Sequence, residues 1–149
     1  KSPHTFTNDY EQSFGWQNVP VIRGNAHSGS YAEAITPDRE FSATFLASFS
    51  QIDPAELLPA VMANVWVYGS KLSQPVSLVL HVTDPKDGQT VAYKSTDLRP
   101  QDANGKWFNL ILAHTLPADI RGNYLCKVYL WNPNKQNVLV DDFQIVFEK

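Results

Sequence analysis

The stretch VLVDDFQIVFEK, Val138–Lys149, decides the fold class. Its apolar residues alternate with other residues at period two, which is the signature of a β-strand. Read as one uninterrupted strand, Leu139, Asp141, Phe143, Ile145 and Phe147 share a face, and Val140, Asp142, Gln144 and Val146 share the other. Successive strand side chains point to opposite faces. On that reading the two adjacent aspartates cannot act on one small group, and Asp141 falls on the more apolar face. An ionised carboxylate there is costly unless a cation or several hydrogen-bond donors meet it.

The same period recurs upstream. In EFSATFLASFSQI, Phe41, Ala43, Phe45, Ala47 and Phe49 fall on one face, with Ser42, Thr44, Ser48 and Ser50 opposite and Leu46 interrupting. In AVMANVWVYGS, Ala63, Val65 and Val67 oppose Asn64, Trp66 and Tyr68. PVSLVLHVTD sets Leu78, Leu80 and Val82 against Ser77, Val79, His81 and Thr83. WFNLILAHTL sets Phe108, Leu110 and Leu112 against Trp107, Asn109 and Ile111. YLCKVYLWN sets Cys126, Val128 and Leu130 against Lys127, Tyr129 and Trp131, and with the last stretch reads as a terminal hairpin. DPKDGQ is a turn followed by the return strand TVAYKST. DPAELLP, Asp53–Pro59, is the one helical signal, a turn that Pro59 stops.

About eight short strands with almost no helix give an all-β chain, a two-sheet antiparallel β-sandwich with helical turns only in loops. The 149 residues suffice for one core without staples. No repeat or composition break divides them. The polar opening, residues 1–7, is expected to be flexible or to lie along an edge, and residues 8–149 to form a single domain.

Composition excludes several function classes. The net charge of −3, without a Lys/Arg cluster, argues against nucleic acid and against an anionic membrane surface. No apolar run is long enough for a membrane span. Cys126 is the single cysteine and reads as a small core residue. His4, His27, His81 and His114 form no zinc-binding spacing; His27, beside a Ser-Gly turn, reads as ordering that loop. No nucleophile elbow or phosphate-cradling loop occurs. Enzymatic function is not expected, and no catalytic cofactor; a hydrolase on this scaffold would need a pocket of perturbed acids that the sequence does not display.

The aromatic residues point to binding. Trp66, Tyr68, Tyr129 and Trp131 all alternate away from core-like positions. Flat rings beside amides and charges complement sugar rings, which have apolar faces and polar rims. Asn64, His81 and Lys127 are the neighbouring polar residues. The competing reading is that these rings cover the sandwich or an interface with a protein partner. Trp16 and Trp107 are expected over edges or loops.

The order DYEQSFGW, HSGSYA, NVWVY and VDDFQI, from about residue 8 to the end, resembles the galactose-binding-like jelly rolls, especially the carbohydrate-binding modules of secreted bacterial enzymes. The resemblance implies a jelly roll, a carbohydrate ligand, an exported setting whose signal segment is not in this chain, and a structural calcium ion tying the opening to the final strand. By position the calcium ligands would be Asp9, Glu11, Ser28 through its carbonyl, and Asp141 or Asp142. The alternative for Asp141 is that it simply accepts backbone N–H bonds. The alternative function is a structural or protein-interaction domain of a surface or periplasmic protein, with no sugar site and with additional domains or another copy as partner.

Overall fold

The computed structural model describes residues 4–8, 21–23, 26–29, 31–35, 40–42, 44–53 and 59–148. Its strands are β1 (His4–Asn8), β2 (Val21–Arg23), β3 (Tyr31–Ile35), β4 (Phe45–Ser48), β5 (Ala60–Gly69), β6 (Val76–Thr83), β7 (Thr90–Leu98), β8 (Lys106–Thr115), β9 (Leu125–Trp131) and β10 (Val138–Glu148). They form two antiparallel sheets. The six-stranded sheet runs β2-β3-β10-β5-β8, with β1 also paired to β10, and the four-stranded sheet runs β4-β9-β6-β7. Apart from β6–β7, each connection after β5 crosses from one sheet to the other, as in a jelly roll.

The core lies where the inward rows meet. Ala63, Val65 and Val67 of β5, Leu110 and Leu112 of β8, and Phe143, Ile145 and Phe147 of β10 face Leu78, Leu80 and Val82 of β6 and Cys126, Val128 and Leu130 of β9. Burial pushes the Cys126 thiol up to about 12, so it is an inert core residue.

Four expectations change. First, β9 and β10 are not a hairpin: they lie in different sheets. Second, the strand expected through Phe49 ends at Ser48. Ser48 Oγ accepts the Gln51 N–H at 3.2 Å while Gln51 Oε1 accepts the Ser48 N–H at 2.8 Å. That reciprocal cap starts a single helical turn, Phe49–Ile52, with Asp53 closing it. The helical signal at Pro54–Leu58 lies outside the described residues. Third, His4–Asn8, which runs from the opening (residues 1–7) expected to be flexible or along an edge into the expected domain, is a strand along β10, pairing His4 with Phe147 through Asn8 with Phe143. First and last strands are therefore joined side by side.

Fourth, β10 is not one uninterrupted strand. Its pairing with β5 shifts between Asp141 and Gln144, and Asp142 has φ +49°. This bulge inserts one residue and reverses the parity downstream. Val138 and Val140 point inward before it; Phe143, Ile145 and Phe147 point inward after it. Asp141 therefore does not share a face with those phenylalanines. It lies with Leu139 on the outer side, directly across from Trp66.

Removing the Phe143 side chain should expose how much rests on that reset. Phe143→Ala is expected to cost about 3–5 kcal/mol in chemical denaturation, whereas Leu46→Ala, on the exposed side of β4, should stay within roughly 0.5 kcal/mol.

Candidate functional site

The outward rows place the expected site residues on two different surfaces. Trp66, Tyr68 and Asn64 belong to β5 and point out from the six-stranded sheet; Tyr129, Trp131, Lys127 and His81 belong to β9 and β6 and point out from the four-stranded sheet. The two outer faces look in opposite directions, so the four aromatics do not make one platform.

On the six-stranded face the aromatic rings engage one another. His27 stacks on Trp66 with centroids 3.9 Å apart and planes within 15°. Trp107 meets His27 edge-on at 5.7 Å and lies tilted against Tyr68 at 5.5 Å. Trp107, expected over an edge or loop, lies across from Tyr68 on β8. Asn64 Nδ2 donates to Gln144 Oε1 at 3.2 Å.

What holds His27 over Trp66 is a clasp between the Ser-Gly turn and the β10 bulge. Asp141 Oδ2 accepts the backbone N–H groups of His27 and Ser28, each at 3.0 Å, and Oδ1 accepts the Asp142 N–H at 2.8 Å. Asp142 Oδ1 accepts from Ser28 Oγ at 2.7 Å, and Oδ2 lies 2.6 Å from His27 Nδ1. Gly29 closes the turn at φ +62°. A regular strand would send the two carboxylates to opposite faces; the left-handed conformation at Asp142 brings both onto one turn, against the sequence expectation. Asp141 is fully buried. Burial, and secondarily the Asp142 charge, push its pKa up to about 6 against the lowering effect of three backbone N–H donors.

Among the described residues, no three His, Cys, Asp or Glu side chains gather as a metal site. Asp9 and Glu11 lie outside the described residues. The described half of the expected set is nevertheless oxygen-rich and anionic, with no Lys or Arg paired to Asp141 among the described residues, which is chemistry a hard cation fits.

The four-stranded face is different. Register places Trp131 beside Ser77, Tyr129 beside Val79, and Lys127 between Leu46 and His81, with Tyr93 beyond His81. Phe41 bridges to Trp131 and meets Tyr129 edge-on at 5.4 Å. Phe41 and Tyr93 are 45% and 49% exposed. Neither was expected here. Phe41 was read onto the core face with Phe45, but Ser42 takes the inward position, where its hydroxyl accepts the Leu130 N–H at 2.8 Å. Trp131 Nε1 donates to Glu40 Oε2 at 2.8 Å, which satisfies the indole and fixes its plane. His81 Nε2 bonds Thr90 Oγ1 at 2.8 Å; burial, and then the Lys127 charge, hold its pKa below the usual value. Lys127 has no ion pair among the described residues, so its ammonium remains available. The result is an aromatic and polar surface four strands wide, roughly 15 Å across at the usual strand spacing.

No family model and no curated protein matches the chain. Solved structures do share its fold. The CBM22-2 xylan-binding domain of Paenibacillus barcinonensis Xyn10C is 17% identical, with 95% of this chain and 98% of that one covered at a TM-score of 0.68. The C-terminal family 22 carbohydrate-binding module of Clostridium thermocellum Xyn10B is 13% identical, covering 95% and 92%, with a TM-score of 0.61. CBM35 from Cellvibrio japonicus Abf62 is 10% identical, covering 97% and 94%, with a TM-score of 0.59. The chain thus resembles the jelly-roll carbohydrate-binding modules over nearly its whole length, at identities where the likeness is one of fold.

The clasp has a pH signature. Asp141 takes up its proton more readily folded than unfolded, so from this group stability falls as pH rises from about 4 to 6. Relative to the parent, Asp141→Asn should therefore lose least stability at pH 7 and most at pH 4, in urea melts run with a chelator present.

Proposed function

We propose that this chain is a non-catalytic carbohydrate-binding module of an exported bacterial protein, and that its ligand lies on the outer face of the four-stranded sheet. The observation that carries the reading is the aromatic set of exposed Phe41 and Tyr93 with half-buried Tyr129 and Trp131, the Trp131 indole being held by Glu40. A rigid aromatic plane receives the C–H face of a pyranose at little entropic cost. Lys127, His81 and Ser77 supply hydrogen-bonding groups for hydroxyls at the ring's edge. Trp66, Tyr68 and Asn64 have no part in this platform, since they occupy the other side of the sandwich. The similar Paenibacillus module is described as xylan-binding. A polymer of that kind is met outside the cell, which supports export.

Trp131→Ala and Tyr129→Ala are each expected to weaken binding to soluble oligosaccharides at least about tenfold by calorimetry, the scale of losing roughly 1.4 kcal/mol of stacking. Trp66→Ala should leave affinity unchanged. A blank result for the parent protein on a broad glycan array would sink the proposal.

The exposed Leu46 favours one second reading, because an aliphatic side chain adds little to sugar stacking. On that reading the face is a protein interface, and solution mass would rise with concentration and fall back to monomer in Trp131→Ala.

The proposal also includes a structural calcium ion at the clasp, held by Asp141 or Asp142 together with Asp9, Glu11 and the Ser28 carbonyl. The ion would supply positive charge beside the buried Asp141 carboxylate and would activate no water. Added calcium at 100 times its dissociation constant should then stabilise the parent by about 2.7 kcal/mol and the Asp141→Asn, Asp142→Asn double variant much less. An unchanged melting temperature would leave the clasp metal-free.

A further inference from the structure

We infer that the chain carries a second ligand site at the rim of the six-stranded sheet, sized for a single uncharged sugar residue. The site is a cavity of about 350 Å³ where β3 and β5 end and β10 begins. It is lined by Ala34, Ile35, Tyr68, Ser70, Asn137 and Leu139, among others. Its volume is at the lower end of the roughly 300–1,000 Å³ of ligand clefts, room for one ring and not for a chain of them.

The lining selects the chemistry. Among the described residues, no acidic or basic side chain borders the cavity, and that lining favours an uncharged ligand. It does offer an aromatic wall, Tyr68, backed by Trp107 at 5.5 Å. Leu139 lies directly across from Tyr68 and extends the apolar floor. Three polar groups border the same space: the Tyr68 and Ser70 hydroxyls and the Asn137 amide. None of the three has a hydrogen-bond partner among the described residues. An apolar floor with unengaged hydroxyl and amide groups around it matches a neutral polyol ring, whose C–H face and hydroxyls need both.

The rim is also held in place beforehand. Gln136, next to Asn137, locks the 132–137 loop to the neighbouring 73–74 segment. Its Oε1 accepts the Ser73 and Gln74 N–H groups at 2.8 and 3.1 Å, and its Nε2 donates to the Gln74 carbonyl at 2.8 Å. Asn132 closes the loop from inside, donating to the Gln136 carbonyl at 2.7 Å and accepting its N–H at 3.1 Å. Little loop entropy remains to be lost when a ligand meets Asn137. The cavity and the proposed platform belong to opposite sheets, so one molecule could engage two glycan strands at once.

The test uses the full chain and the methyl glycosides of xylose, glucose and galactose as probes, followed by amide chemical shifts. At least one probe should shift Ser70, Asn137 and Leu139 with an apparent dissociation constant of about millimolar order. Those shifts should persist in Trp131→Ala and weaken about tenfold in Asn137→Ala, a surface change that spares the core. Gln136→Ala, which frees the loop, should weaken them less. Tyr68→Ala should abolish them, with Asn137→Ala deciding the matter if that variant fails to fold. No shift at the rim up to roughly 100 mM probe, or rim shifts indifferent to Asn137→Ala, overturns the inference. Shifts confined to the Tyr129–Trp131 face overturn it while leaving the platform intact.

Discussion

The arrangement depends on one extra residue in β10. This strand lies in the middle of the six-stranded sheet, with β5 on one side and both β3 and β1 on the other. Without the bulge, a strand that begins with Val138 and Val140 facing inward would continue by turning Phe143, Ile145 and Phe147 toward solvent. Those three are fully buried, and phenylalanine contributes the largest burial terms of any core side chain. The bulge reconciles the two halves. It also leaves Asp141 and Asp142 on a kinked backbone, where both carboxylates reach the same turn. Core packing and the clasp are thus two consequences of a single insertion, and the clasp in turn sets His27 onto Trp66.

Much of the sandwich was legible because period two is a direct readout of sidedness. It assigned Ala63, Val65 and Val67 inward, and Cys126, Val128 and Leu130 inward, as the structure has them. It failed where phase is lost. Asp142 carries no mark of its left-handed backbone, because aspartate tolerates that region and is equally common in turns and caps. Near Phe41 the alternation fails for a related reason: Ser42 is drawn inward by a backbone N–H it must satisfy, and a hydrophobic reading assigns serine outward.

A second limit concerned the sheet and not the face. Alternation tells which residues point away from the core, but both sheets of a sandwich have an outside. Trp66 and Tyr68 therefore looked equivalent to Tyr129 and Trp131 until pairing put β5 with β10 and β8, and β9 with β4 and β6. Pairing between strands far apart in sequence comes from tertiary contacts, which a local pattern does not encode. Phe41 joined the proposed platform for the same reason, through Trp131, a partner remote in sequence, whereas Tyr93 lies across from His81 in the hairpin that the sequence does mark.

The two aromatic faces differ in what their rings already touch, and this separates a structural role from a binding one. On the six-stranded side, Trp66 has an imidazole stacked on it; Asp142 holds that ring and Asp141 holds its backbone. A ligand would have to displace His27 and break the clasp to reach the ring. On the four-stranded side, a carboxylate holds the Trp131 indole by its edge, and no ring among the described residues stacks on it. Edge anchoring orders the side chain without using a ring face, which is what the proposed stacking role would need at low entropic cost. Two surfaces of similar composition are therefore unequal: one uses its Trp66 ring in joining the chain's early turn to its last strand, and the other has the arrangement that the proposed platform requires.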